Sequence, residues 1–146
     1  MKNDFVLFAK KKDGTINAMT CGWVTDGILF NKRVKMVFVR KSRYTYEFLQ
    51  EADYFVTATL SDEAMQYYGS VSGRDEDKNK KMGVKFKIDG DRFEVVGAKD
   101  NLFMKKIAVL DFKKADYLDE EIKKQFREDT EAHVIFVGEI VDANHK

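Results

Sequence analysis

The apolar runs of this chain are short, and charged or turn-forming residues separate them where long helical stretches could have stood. That pattern favours many short strands over a few long helices. Residues 5–8 form the first run, closed by Lys10, Lys11, Lys12 and an Asp13-Gly14 turn. Residues 16–24 read as a second strand, forming a hairpin with the first through a loop longer than two residues. Thr25-Asp26-Gly27 is expected to turn the chain, and 28–30 and 34–39 to follow as strands with Asn31, Lys32 and Arg33 between them. Further strands are expected at 54–60, 85–88, 93–96, 102–112 and 132–141.

Helical patterning is confined to brief segments. Tyr44, Phe48, Leu49 and Ala52 recur at helical spacing over 43–52, with Ser42 placed to cap. Ser61-Asp62-Glu63 opens a second helix that ends near Gly69. Residues 72–81 read as a polar loop leading into one helical turn before Gly83, and Asp119 caps a helix running to 128. About eight strands and three or four short helices, joined by mostly short connections, argue against a doubly wound parallel sheet. The expected fold is mainly β: an antiparallel, Greek-key-like barrel with short peripheral helices. There is no proline, so turns fall to nine glycines and to Asn, Asp and Ser. With 146 residues and neither repeat nor linker, the reading is a single domain over 1–146.

Composition narrows the function classes. The chain is 44% hydrophobic and 13% aromatic, which excludes general disorder. Its net charge is +1, so bulk attraction to nucleic acid or an anionic membrane is not expected, and any basic site is local. The one cysteine, Cys21, excludes an intramolecular disulfide and fits a reducing compartment. The first residues lack a signal-peptide pattern, and no apolar run reaches membrane-spanning length, so a soluble cytoplasmic protein is expected.

Familiar catalytic patterns are absent: no glycine-rich dinucleotide turn, no Walker loop, no paired-histidine zinc motif. His133 reads as a structural histidine at the start of the last strand, and His145 as an exposed one. Cys21 reads as a small packed residue. The stretch from Asp75 resembles the start of a calcium loop, but Lys80 and Phe86 stand where glycine and glutamate are required, so calcium is rejected.

Two clusters remain. Arg40, Ser42, Arg43, Tyr44 and Thr45 place cations and hydroxyls where a strand yields to a helix. A helix N-terminus with arginine donors suits an anion such as phosphate. The residues alone leave open a plain capped helix with solvated cations. Ser72, Gly73, Arg74 and Lys78 add donors on a second loop, which on its own reads as an exposed polar loop. Asn17, Ala18, Met19 and Thr20, followed by Trp23, form a strand whose small residues let a flat ring approach the backbone; a half-buried strand with a polar face is the other reading.

NAMTCGW at 17–23, GILFNKRV at 27–34, VFVRKSRYTYEFL at 37–49, ADYF at 52–55, SGRDEDK at 72–78 and HVIFVGEIV at 133–141 follow one another in order. Together they resemble the flavin reductase-like family of FMN-binding split barrels, which includes flavoredoxin-type proteins. The resemblance implies a split β-barrel, a homodimer, and FMN near the subunit interface. It implies that Asn17, Ala18, Met19 and Thr20 line the isoalloxazine ring with Trp23 close by. Arg40, Ser42, Arg43, Tyr44 and Thr45 would surround the ribityl phosphate, joined by Lys78 and Ser72. Lys41 and Arg33 stand where the family often has proline, and Val24-Thr25 where many relatives have glycines; no side-chain ligand is lost thereby. The implied function is an oxidoreductase that passes electrons from NADH or NADPH through FMN to a free flavin or a protein acceptor. The alternative is a non-catalytic FMN electron-transfer module reduced by a partner protein; a binder of another phosphorylated or haem-like ligand is a third reading.

Overall fold

A computed structural model describes residues 4–126 and 133–145. Its main element is a seven-stranded antiparallel sheet, ordered β2-β1-β5-β8-β9-β4-β3. The strands are β1 (Phe5–Lys10), β2 (Ile16–Cys21), β3 (Val24–Leu29), β4 (Lys32–Arg40), β5 (Tyr54–Ala58), β8 (Asp100–Asp111) and β9 (His133–His145). A separate two-stranded ribbon joins β6 (Phe86–Asp89) to β7 (Arg92–Val95). The helices are α1 (Tyr44–Glu51), α2 (Asp62–Ser70), α3 (Lys78–Lys81) and α4 (Glu120–Phe126). The protein is therefore mainly β with a few short helices, as the short apolar runs imply.

The expected β1–β2 hairpin forms, with Phe5 opposite Cys21 and Lys10 opposite Ile16. The next segment corrects the sequence reading. Residues 16–24 are two strands, divided at Gly22 and Trp23. Thr25, Asp26 and Gly27 do not turn; they sit in β3 opposite Met36, Lys35 and Val34. The reversal comes at Phe30 and Asn31, whose φ values of 57° and 58° make a two-residue hairpin turn. Asp-Gly is a good turn pair only where the register lets the chain reverse. Here the apolar pairing of Val24 with Val37 carries the strand through it.

Three apolar clusters hold the sheet. Phe5, Leu7, Met19, Val37, Phe55 and Phe136 pack beneath Phe48 and Leu49 of α1. Val6, Phe8, Ala18 and Val56 pack on the opposite face, beneath Tyr68 of α2 and Phe93 of the ribbon. Val34, Ile135 and Val137 form the third, with Phe38 and Phe112 against them. Burial of each large side chain contributes roughly 1.5–3 kcal/mol. Edge strand β2 therefore carries α1 residues on one face and α2 on the other, which places both helix ends beside it.

The Ser61 cap is as expected: its Oγ accepts from the Ala64 N–H at 3.2 Å. The Ser42 cap is not. α1 begins at Tyr44 with Arg43 as its N-cap residue, and no side chain caps it. The α4 expectation is met over Glu120–Phe126; its last two residues, and the first residue of the expected 132–141 strand, lie outside the described residues. Of His145 only the strand position is described, opposite Asp100. No helix among the described residues is long and apolar enough to cross a membrane.

Candidate functional site

The unpaired edge of β2 supplies the first half of the site. The Lys11 N–H donates to the Thr15 carbonyl at 2.9 Å, which fixes the hydrogen-bond phase of the hairpin. Asn17, Met19 and Cys21 therefore spend their backbone groups on β1, and those of Ile16, Ala18 and Thr20 point outward. Asn79 Nδ2 donates to the Ile16 carbonyl at 2.8 Å, taking the first outward acceptor. Beyond it, the N–H and C=O groups of Ala18 and Thr20 point away from β1, with no further strand of the sheet beside them among the described residues; Ala18 is fully buried and Thr20 half-buried.

Side chains of the same strand brace the helices. Asn17 is buried, and its Nδ2 donates to Thr45 Oγ1 in α1 at 2.9 Å. Thr20 Oγ1 donates to the Met65 carbonyl in α2. Ala18 and Met19 lie in the core, on opposite faces. Of the strand's four expected ring residues, Asn17, Ala18 and Met19 are buried and Thr20 is half-buried.

The second half is cationic. Lys78 is only 3% exposed, and its Nζ donates to the carbonyls of Val71 at 2.9 Å and Tyr68 at 3.2 Å. Arg43 Nη2 donates to the same Tyr68 carbonyl at 3.5 Å. The acceptors belong to the C-terminal end of α2, where carbonyls lack helical partners and cations are favoured. Neither cation makes an ion pair among the described residues. Desolvation pushes the Lys78 ammonium down to about 8, and the neighbouring Arg43 charge adds to that shift. Desolvation also lowers Arg43. An ammonium has three donors and a guanidinium five, so both retain capacity after bonding Tyr68 and Val71. What this corner lacks is negative charge.

The loop of residues 72–77 closes against it. Arg74 N–H donates to Ser72 Oγ at 3.1 Å. Gly73 lies against Asn17 so closely that a Cβ would stand 2.0 Å from Asn17 Oδ1. Arg74 reaches α1: Nη1 donates to the Ser42 carbonyl at 3.3 Å, Nη2 meets Glu47 Oε2 at 3.2 Å, and the guanidinium lies over the Tyr44 ring, 4.8 Å from its centroid. An open groove of about 690 Å³ runs past this junction, lined in part by Asn17, Tyr44, Phe48 and Gly73.

The structure thus brings Asn17, Ser42, Arg43, Tyr44, Thr45, Ser72 and Lys78 into one neighbourhood. Arg40 ends β4 opposite His133, exposed. Trp23 is 47% exposed and stacks on the His133 ring, with centroids 4.4 Å apart at 20°. His133, read from sequence as structural, is therefore the support of the tryptophan expected near the ring. Lys41, the nearest cation in sequence, is held by Asp111 at 2.8 Å. Among the described residues no group of acidic, histidine or cysteine side chains could hold a metal.

The model of the flavin reductase-like domain matches residues 5–146. The chain belongs to the flavin reductase-like family. That membership makes flavin redox chemistry its class of function. Solved structures agree on the fold. Flavoredoxin from Methanosarcina acetivorans superposes with a TM-score of 0.73 at 24% identity, covering 98% of this chain and 68% of that one. An FMN-binding protein from Thermus thermophilus gives 0.73 at 18% identity, covering 99% and 70%. The NADH:FAD oxidoreductase of Streptomyces globisporus C-1027 gives 0.69 at 15% identity, covering 99% and 75%. No curated protein matches this flavin reductase-like chain.

Proposed function

We propose that this flavin reductase-like protein binds FMN and passes electrons from a reduced nicotinamide to a free flavin or a protein acceptor. One observation carries the reading: Arg43 and Lys78, from different segments, converge on the Tyr68 carbonyl with donors to spare and no carboxylate between them. A phosphate dianion supplies the missing charge. Thr45 Oγ1 and the uncapped first turn of α1 add neutral donors beside it. The outward backbone groups of half-buried Thr20 then meet the polar edge of the ring, and Trp23 on His133 flanks it.

When bound, the flavin supplies hydride acceptance and onward electron delivery. The protein's part is placement: it anchors the phosphate, aligns the ring along β2, and offers backbone donors that favour added negative charge on the ring. We read the large sheet as the family's split barrel. Phe38 N–H donates to the Trp23 carbonyl at 3.2 Å, which extends the β3–β4 ladder one residue beyond the Val24–Val37 pair. We further propose a cytoplasmic homodimer. Leu110, Leu118 and Ile122 are exposed apolar residues close in sequence, 49%, 85% and 43% accessible, suited to cover by a second copy.

Titration with FMN and with riboflavin tests the reading. Each charge-assisted hydrogen bond to the phosphate contributes about 1.5–3 kcal/mol, so FMN binds at least about tenfold more tightly. Equal affinities overturn it. Rapid mixing of the FMN-loaded protein with NADH or NADPH tests the electron path. Persistence of the oxidised flavin absorbance would assign it instead to a carrier reduced by a partner protein.

A further inference from the structure

We propose that Arg74 is a positioning residue that sets this corner's preference for a phosphorylated flavin. The inference rests on the FMN reading above and adds a residue to it. Arg43 and Lys78 belong to segments far apart in sequence, and their convergence depends on what ties those segments together. Two ties are visible. Gly73 presses on Asn17, which bonds Thr45. Arg74 bonds the Ser42 carbonyl and Glu47 while lying over Tyr44. These contacts grip α1 on both sides of Arg43, its N-cap residue. Lys78 follows four residues after Arg74, at the start of α3.

Arginine suits this strap. Its planar fork serves a carbonyl and a carboxylate at once while stacking on a ring, and an ammonium cannot do all three. The Arg74 and Glu47 side chains are 47% and 48% exposed, so their ion pair adds little to global stability. The guanidinium is already committed to Glu47, Ser42 and Tyr44, which separates it from Arg43 and Lys78 as phosphate ligands. Its effect is on geometry: it holds the donor-bearing segments at the spacing a phosphate bridges.

The test compares the full-length protein with Arg74→Ala and Arg74→Lys. FMN and riboflavin affinities are measured by flavin fluorescence, with the thermal midpoint without flavin and amide exchange over 72–77. The expected result is FMN affinity lowered by about fivefold or more in both variants, riboflavin affinity within about twofold, and faster exchange in the loop. Full affinity in Arg74→Lys overturns the proposal, since any cation then suffices. Lost FMN affinity with unchanged exchange also overturns it, and makes Arg74 a direct ligand. Equal loss for both flavins together with a lowered midpoint overturns it in favour of a role in the fold alone. Failure of the wild type to prefer FMN removes the phosphate reading itself, a result distinct from a wild type that prefers FMN and an Arg74→Ala variant that still does.

Discussion

Arg43 and Lys78 donate to one acceptor, the carbonyl oxygen of Tyr68, at 3.5 and 3.2 Å. Two cations gathered on a neutral oxygen repel each other, and part of that repulsion is relieved only when an anion joins them. The arrangement is costly to the isolated protein and favourable to a ligand that brings negative charge.

Replacing Lys78 with methionine keeps most of its length and removes its charge. FMN affinity is expected to fall by tenfold or more, about 1.5–3 kcal/mol, with riboflavin much less affected. Removing the desolvated ammonium also leaves the Tyr68 and Val71 carbonyls without that donor, so stability gained from lost repulsion is offset. Parallel titrations of both flavins read the difference.

The pH dependence follows from the depressed Lys78. Its folded value, about 8, lies below the ordinary lysine value of 10.5. Between these two values the unfolded chain holds the proton that the folded chain has released. Lys78 therefore adds to stability as pH rises through that window, and this contribution is lost as pH falls through about 8. A bound phosphate favours the charged amine, so the sign reverses for FMN: its affinity falls as pH rises above about 8 while riboflavin affinity stays level. Affinity titrations from pH 7 to pH 10, repeated on Lys78→Met, check it; the slope is expected to vanish in the variant.

Cys21 is expected to be inert in the folded protein. It is 3% exposed, and burial pushes its thiol up to about 11. The thiolate is the reactive form. A colorimetric thiol reagent at pH 8 should react only after denaturant is added, and prompt reaction with the native protein would contradict the described packing.

Gly138→Ala is expected to be among the more harmful small substitutions. A Cβ at this position of β9 would stand 2.5 Å from Phe55 Cζ and 2.9 Å from Met104 Cβ, both in the main core. Overpacking of this kind costs about 1–3 kcal/mol. A lowered denaturation midpoint with unchanged denaturant dependence is the expected signature.

Much of this could be read from residue order, for physical reasons that differ by element. The β1–β2 hairpin was legible because its apolar run and Asp-Gly turn agree. The next reversal was expected at residues 31–33 and comes one residue earlier, at Phe30 and Asn31, because a phenylalanine at positive φ is an unusual turn residue; the Asp26-Gly27 turn was expected and did not form. The Ser42 cap failed because the helix starts one residue later than its apolar spacing suggests. Lys78 and Arg43 were legible through their likeness to a known segment order. Their meeting point was not: a backbone carbonyl leaves no trace in residue identity, so nothing marked Tyr68. Arg74 was visible only as one more charge in a polar loop, since its partners Ser42, Glu47 and Tyr44 lie far upstream.

The outer margin of β2 has a consequence for how the molecule behaves in a crowded solution. Unpaired strand margins invite other chains to zip on and seed aggregates. Here Asn79 takes the first outward acceptor and Ala18 is fully buried, so little of that margin is left for a foreign strand to pair with. In the FMN reading proposed above, the ring then meets the strand where its margin is least covered, at Thr20.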